Sequence, residues 1–307
     1  MTLHPALTAM VAKAAKYPPM HLVPLATVRE AAPRLLRTGL PPEHVDSAED
    51  IVLGELPRPV RVRVYRPDTG KGRPLTLFFH GSGFTICSIE THDAMCRQIC
   101  ARSGSVVVSV DYSLAPENPY PAGPDDCQAA TRWAARNAMR LGADASRMAL
   151  CGDSAGGAMA AVVAMRSRAA GEPAIKAQIL IYPVTDHYSA GHASFEQRGT
   201  GCGLLRDEMR WFWDQYLPDP SQAANPDVSP ARAPDLRGLP QSYVMVAEYD
   251  VLRDEGLAYA RALATADVPV TLRHYTDMNH GFLNWVGVVD RADEAMNALA
   301  AWMRFTL

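Results

Sequence analysis

A mostly parallel α/β sheet, doubly wound with helices on both faces, is the fold class this sequence predicts. Three observations predict it. From about residue 60, short apolar runs alternate with longer helical patterns, the order expected of strands joined by helical crossovers. Runs such as LTLFF (Leu75–Phe79) and VVVSV (Val106–Val110) are apolar on both faces, which suits central strands covered on both sides. The chain of 307 residues, 48 % hydrophobic, is long enough to bury such a core in one large domain or two small ones.

Taken in order, the expected strands are Val60–Tyr65, Leu75–His80, Val106–Tyr112, Met148–Cys151, Ala177–Tyr182, Tyr243–Tyr249 and Val270–Tyr275. Val60–Tyr65 alternates Val with Arg, the period-2 pattern of a half-exposed strand, and is expected to run antiparallel near the sheet edge. Helical patterns fall over 91–103, 123–141, 155–170, 254–266 and 288–304. Two regions stand outside this rhythm. Residues 1–45 look helical but are cut by prolines, and residues 186–235 interrupt the alternation with the aromatic cluster WFWDQYL (Trp211–Leu217) and a proline-rich return, Asn225–Leu236. An insertion of that length in a compact domain usually serves as a lid or substrate wall.

Composition removes several function classes. A formal net charge of −3 gives no basic footprint for a phosphate backbone, so no nucleic-acid partner is expected. The apolar stretch near the start is interrupted by Lys13 and Lys16 and stopped by Pro18 and Pro19, which is not a secretory signal, and no apolar run reaches a membrane span. No membrane association and a cytoplasmic location are therefore expected. Six cysteines (Cys87, Cys96, Cys100, Cys127, Cys151 and Cys202) form no CxxC pair. Cys96 and Cys100 share a helix face but lack further ligands at zinc spacing, so buried free thiols are expected rather than a metal site or a disulfide framework.

The strongest local signal is Gly152-Asp153-Ser154-Ala155-Gly156. It follows the apolar run MALC and precedes an alanine-rich helical pattern, the strand–turn–helix context in which a GxSxG serine is lifted above the sheet edge as a nucleophile. A serine hydroxyl needs a base beside it. In that arrangement the acid follows a late strand and the histidine follows the last one. Asp250 comes directly after YVMVAEY, and His280 lies in MNHGF after TLRHYT. Asp254 is the competing acid, but it falls in the first turn of the next helix, where a carboxylate serves as a cap. His274 competes as base, yet it lies within the last strand pattern. A tetrahedral intermediate also needs N–H donors. The backbone N–H groups of Ser82 and Gly83, in His80-Gly81-Ser82-Gly83-Phe84 after the strand LTLFF, together with that of Ala155, are the candidates for an oxyanion hole.

With these motifs in hand, the chain resembles the hormone-sensitive-lipase-like esterases, also called bacterial esterase family IV, of the α/β-hydrolase fold. The resemblance spans most of residues 50–285. It rests on HGSGF, DYSLAPE (Asp111–Glu117), YPAGPDDC (Tyr120–Cys127), GDSAGG (Gly152–Gly157), LIYP (Leu180–Pro183), AEYDVLRDEG (Ala247–Gly256) and NHGF (Asn279–Phe282). It implies hydrolysis of small-molecule carboxylic esters through an acyl-enzyme, with no metal or cofactor and a preference for short to medium acyl chains, to about C8. It also implies a catalytic domain over 46–307, capped by residues 1–45 and by the insertion at 186–235. A homodimer through an exposed edge strand is implied by resemblance alone. Three positions depart from the family pattern. Ser82 replaces the middle glycine of HGGG, where its hydroxymethyl group is expected to border the oxyanion hole. Cys87 stands where glycine is common and is expected to narrow the pocket. Val251 replaces the proline of DPL. Two alternatives remain: a non-catalytic binding protein on the same fold, as in plant gibberellin receptors that lack the histidine, and hydrolysis of an amide, lactone or acetyl group.

Overall fold

Eight strands form one sheet among residues 2–36, 38–56 and 58–307, which the computed structural model describes. They are β1 (Ser47–Leu53), β2 (Val60–Arg66), β3 (Arg73–Phe79), β4 (Val106–Asp111), β5 (Ala143–Asp153), β6 (Ala177–Ile181), β7 (Gln241–Tyr249) and β8 (Val270–Asn279). Their order across the sheet is β1-β2-β4-β3-β5-β6-β7-β8. Strand β2 is antiparallel to both β1 and β4, and every other neighbouring pair is parallel. The helices are α1 (Pro5–Ala14), α2 (Leu25–Leu35), α3 (Asp93–Ser103), α4 (Ala122–Arg136), α5 (Ala138–Leu141), α6 (Ala155–Ala170), α7 (Ala193–Gln197), α8 (Arg206–Tyr216), α9 (Arg253–Thr265) and α10 (Asp290–Thr306).

Because successive side chains on a strand point to opposite faces, the uniformly apolar runs feed two cores at once. Leu75, Leu77 and Phe79 of β3 join Val106, Val108 and Val110 of β4 in a layer beneath α4, α6 and α9. Phe78, Val107 and Cys151 point the other way, toward Ile99 of α3 and Met296 and Leu299 of α10. The sheet is thus doubly wound as the sequence implies. Among the described residues no helix is long and apolar enough to cross a membrane.

The sequence pattern misses β1. Of SAEDIVL only Leu53 is fully buried, so the segment shows no apolar alternation. It is held instead by backbone pairing to β2 and by ion pairs, Arg63 to Asp50 at 2.5 Å and Arg66 to Glu49 at 3.2 Å. This makes β2 the second strand from the edge, and β1 a charged edge of the kind that discourages further strand pairing. The helical pattern over 123–141 is divided at Asn137, whose side-chain amide donates to the Trp133 carbonyl.

The two segments outside the strand–helix rhythm meet each other and one loop of the sheet. The buried Glu208 carboxylate of α8 accepts from the Met20 N–H at 2.8 Å and from the Leu205 N–H at 3.1 Å. Arg29 of α2 donates to the carbonyls of Thr85 and Ala115 at 2.7 and 2.8 Å and grips both Glu117 oxygens. From α8, Tyr216 stacks on Phe84 with ring centroids 3.9 Å apart, and Trp213 lies 5.2 Å from the same ring. Phe84 sits in the loop that follows β3, so this packing bears directly on the edge where the chemistry-bearing residues gather.

Candidate active site

Strands β3, β5, β7 and β8 are mutually parallel, so the residues that follow them emerge on one edge of the sheet, where open α/β sheets bind ligands. Those residues are His80–Phe84, Ser154, Asp250 and His280. Ser154 joins β5 to α6 at φ 55° and ψ −121°, a left-handed conformation that costs a non-glycine residue about 1–3 kcal/mol and persists only where the surroundings impose it. The surroundings here are backbone bonds from Ser154 N–H to the Ile181 carbonyl (2.9 Å) and from Val184 N–H to the Ser154 carbonyl (3.0 Å). The turn is too tight for side chains at its flanks. A Cβ on Gly152 would overlap the Gly156 carbonyl, and one on Gly156 would overlap that of Phe79.

The three residues expected from strand order are joined by hydrogen bonds. His280 Nε2 lies 3.0 Å from Ser154 Oγ, and His280 Nδ1 lies 2.7 Å from Asp250 Oδ2. Asp250 is 1 % exposed, and its other oxygen accepts from the Leu252 N–H at 2.9 Å. Tyr182 packs its ring 4.8 Å from that of His280. The competitors are occupied elsewhere. Asp254 accepts from the Ser194 N–H at 2.7 Å and from Arg253, tying α7 to α9. His274 lies 3.0 Å from Glu248.

The loop after β3 is braced from below. Gly81 N–H donates to Asp153 Oδ1 at 2.7 Å. The Tyr112 hydroxyl donates to the His80 carbonyl at 2.7 Å and lies 2.8 Å from Ser82 Oγ, which also accepts from the Phe84 N–H at 2.9 Å. Since Tyr112 has spent its hydrogen on His80, Ser82 donates to it. The Ser82 hydroxymethyl group is therefore turned into the protein and does not border the N–H donors, correcting the sequence expectation. Among the described residues the N–H groups of Ser82, Gly83 and Ala155 have no protein acceptor. Ala155 stands in the first turn of α6, where N–H groups are free and the helix dipole favours negative charge. Gly83 has φ +52°, and a Cβ there would lie 2.5 Å from the Phe212 ring, so α8 closes directly over this loop. Tyr112→Phe is expected to cost about 1–3 kcal/mol of stability by leaving the His80 carbonyl and the Ser82 hydroxyl unpaired, read as a lower urea midpoint at unchanged slope.

All six cysteines are free thiols. Cys87, at φ 68°, lies in the same loop region, and burial pushes its thiol up to about 12 against a hydrogen bond from Thr91, which makes it a poor nucleophile. Sequence reasoning passed over Tyr112, His92 and Arg29. Tyr112 sits within a quoted motif, but its hydroxyl partners lie 30 residues and more away in sequence. His92 reads as an ordinary residue at a helix start, and Arg29 as one of many scattered arginines.

A family model described as alpha/beta hydrolase fold matches residues 76–284. Esterase LipI of Mycobacterium tuberculosis (strain ATCC 25618 / H37Rv) is 39 % identical over 293 residues, spanning 92 % of this chain and 89 % of that protein. An ethyl acetate hydrolase of Pseudomonas putida is 35 % identical over 239 residues, 76 % of this chain and 75 % of that protein. Among solved structures, a hyperthermophilic esterase from the archaeon Pyrobaculum calidifontis superposes with a TM-score of 0.94 at 38 % identity, covering 99 % of this chain and 98 % of that one.

Proposed function

This chain belongs to the α/β-hydrolase-fold family, and on that premise we propose that it hydrolyses carboxylic esters of short to medium acyl chain through an acyl-enzyme on Ser154. The observation that carries the proposal is the continuous hydrogen-bond chain Ser154–His280–Asp250, at 3.0 and 2.7 Å.

In the proposed cycle His280 Nε2 takes the Ser154 proton as Oγ attacks the ester carbonyl carbon. The Ser82, Gly83 and Ala155 N–H groups receive the negative oxygen. Asp250 holds the proton on Nδ1 and balances the imidazolium. When the tetrahedral adduct collapses, the C–O bond to the alcohol breaks and Nε2 protonates the leaving oxygen. Water then attacks the acyl-enzyme, gives its proton to Nε2, and the second adduct releases the acid and restores Ser154. The nucleophile of the first step, the base and the hydrogen-bond donors in this cycle are residues of the chain; water is the second nucleophile.

Residues 1–45 and 186–235 form the cap in this reading, with Phe212 the wall nearest the donor loop. A wall of bulky aromatic rings favours a small acyl group, in keeping with the similarity to the ethyl acetate hydrolase of Pseudomonas putida. The cytoplasm is the proposed location, since six unpaired cysteines suit a reducing compartment. The test is a series of p-nitrophenyl esters from acetate to palmitate with a serine-directed phosphonate run alongside. The expected results are turnover highest on the short acyl chains and a mass increase on the peptide holding Gly152–Gly157. Faster turnover of palmitate than of butyrate would reject the chain-length reading, and absence of labelling in active protein would reject the nucleophile.

A further inference from the structure

We infer that Asp153, with His92 packed against its carboxylate, positions the oxyanion-donor loop against the nucleophile turn, which makes both of them positioning residues for the ester hydrolysis proposed above, on which this inference rests. Asp153 immediately precedes Ser154, yet its side chain takes no part in the hydrogen-bond chain through His280. It reaches across the sheet edge to accept the Gly81 N–H at 2.7 Å, a residue 72 positions away in sequence. Ser82 and Gly83 follow directly. One carboxylate therefore braces both the turn that holds the nucleophile and the loop that holds two of the three donors. The approach is so close that a Cβ on Gly81 would overlap Asp153 Oδ2.

A carboxylate with 4 % side-chain exposure needs a polar partner. Among the described residues the one basic side chain within reach is His92, 2 % exposed, with Nε2 3.3 Å from Asp153 Oδ1. Its other nitrogen, Nδ1, lies 2.8 Å from Thr91 Oγ1, so the ring is held between Thr91 and the carboxylate.

The groups packed around the pair bring no competing charge. Burial, helped by the nearby His92 ring, pushes His80 down to about 3, so it is neutral. Burial raises the thiols of Cys87, Cys96 and Cys151 and the phenols of Tyr112 and Tyr182, which are neutral as well. The nearby carboxylate of Glu90 is committed to Arg61 at 2.7 Å. Burial works against the Asp153 anion, but His92 and the Gly81 N–H outweigh it and hold the carboxyl below its usual range.

The test compares Asp153→Asn, His92→Gln and the double variant in the full chain, each beside wild type and Ser154→Ala. Three quantities are read with p-nitrophenyl butyrate: kcat, KM, and the inhibition constant of an alkyl trifluoromethyl ketone, whose serine adduct places a negative oxygen on the donors. Each single variant is expected to lower kcat about 10- to 100-fold, the size of a misplacement near 1 Å, with KM within about threefold. The ketone should weaken by the same factor as kcat/KM. The double variant, a neutral amide pair, should lose less than the product of the two single losses. Folded single variants with wild-type kcat, an unchanged ketone constant beside a reduced kcat, or losses that multiply in the double variant would each overturn the inference. Where one single variant fails to fold, the other carries the same three readings. Inactive Ser154→Ala beside unimpaired Asp153→Asn and His92→Gln rejects the positioning inference alone, whereas active Ser154→Ala rejects the ester-hydrolase mechanism beneath it.

Discussion

Ser154→Ala is expected to lower kcat on p-nitrophenyl butyrate by at least about a thousandfold, with the residual rate owed to binding and the oxyanion donors. The loss should be purely chemical. The turn is held by Ser154 N–H to Ile181 and by its carbonyl to Val184, and alanine keeps both bonds. Alanine tolerates the left-handed φ of 55° no worse than serine does, so the melting temperature should move little. The variant should also lose the pre-steady-state burst of p-nitrophenol, because no acyl-enzyme can accumulate. A folded variant with wild-type turnover would remove Ser154 from the mechanism.

Asp250→Asn is expected to cost about 10⁴-fold in kcat near neutral pH, the size such a change has in serine-protease triads. The surroundings of Asp250 dictate why. Its Oδ1 accepts from the Leu252 N–H at 2.9 Å, so an asparagine keeps its oxygen on that side and turns its NH2 toward His280 Nδ1. Two donors cannot face each other, and the imidazole moves its hydrogen to Nε2, where it meets Ser154 Oγ as a donor and no longer as a base. Asp254→Asn provides the comparison. It sits four residues on and loosens the tie between α7 and α9, but should leave kcat alone. Equal losses in the two variants would mean that the acid had been misassigned.

The positions that the fold brings together in the candidate site were legible because chemistry ties residue type to chain position. A nucleophile needs a strand-to-helix turn with flanking glycines, and an acid and a base must follow later parallel strands to reach the same edge; Asp250 and His280 follow β7 and β8 in that way. What escaped notice depends on partners far away in sequence. Ser82 looked as if it would crowd the donors, and its true direction is decided by Tyr112, which is 30 residues away. Strand β1 has no apolar alternation to announce it, since its pairing is made by backbone bonds and by arginines on β2. His92 is visible only once the fold brings it under Asp153.

The clamp at Arg29 sets an order of assembly in time. Its acceptors lie 56 to 88 residues further along the chain, at Thr85, Ala115 and Glu117, in loops that exist only after β3 and β4 have paired. Helix α1 depends on still later residues, because His4 N–H bonds to the Asp277 carbonyl and Leu7 is buried in the cluster that contains Met278 and Phe282. During synthesis the segment holding α1 and α2 therefore emerges well ahead of everything that can hold it in place. It must wait, solvated, while the sheet is built, and it docks when β8 is complete.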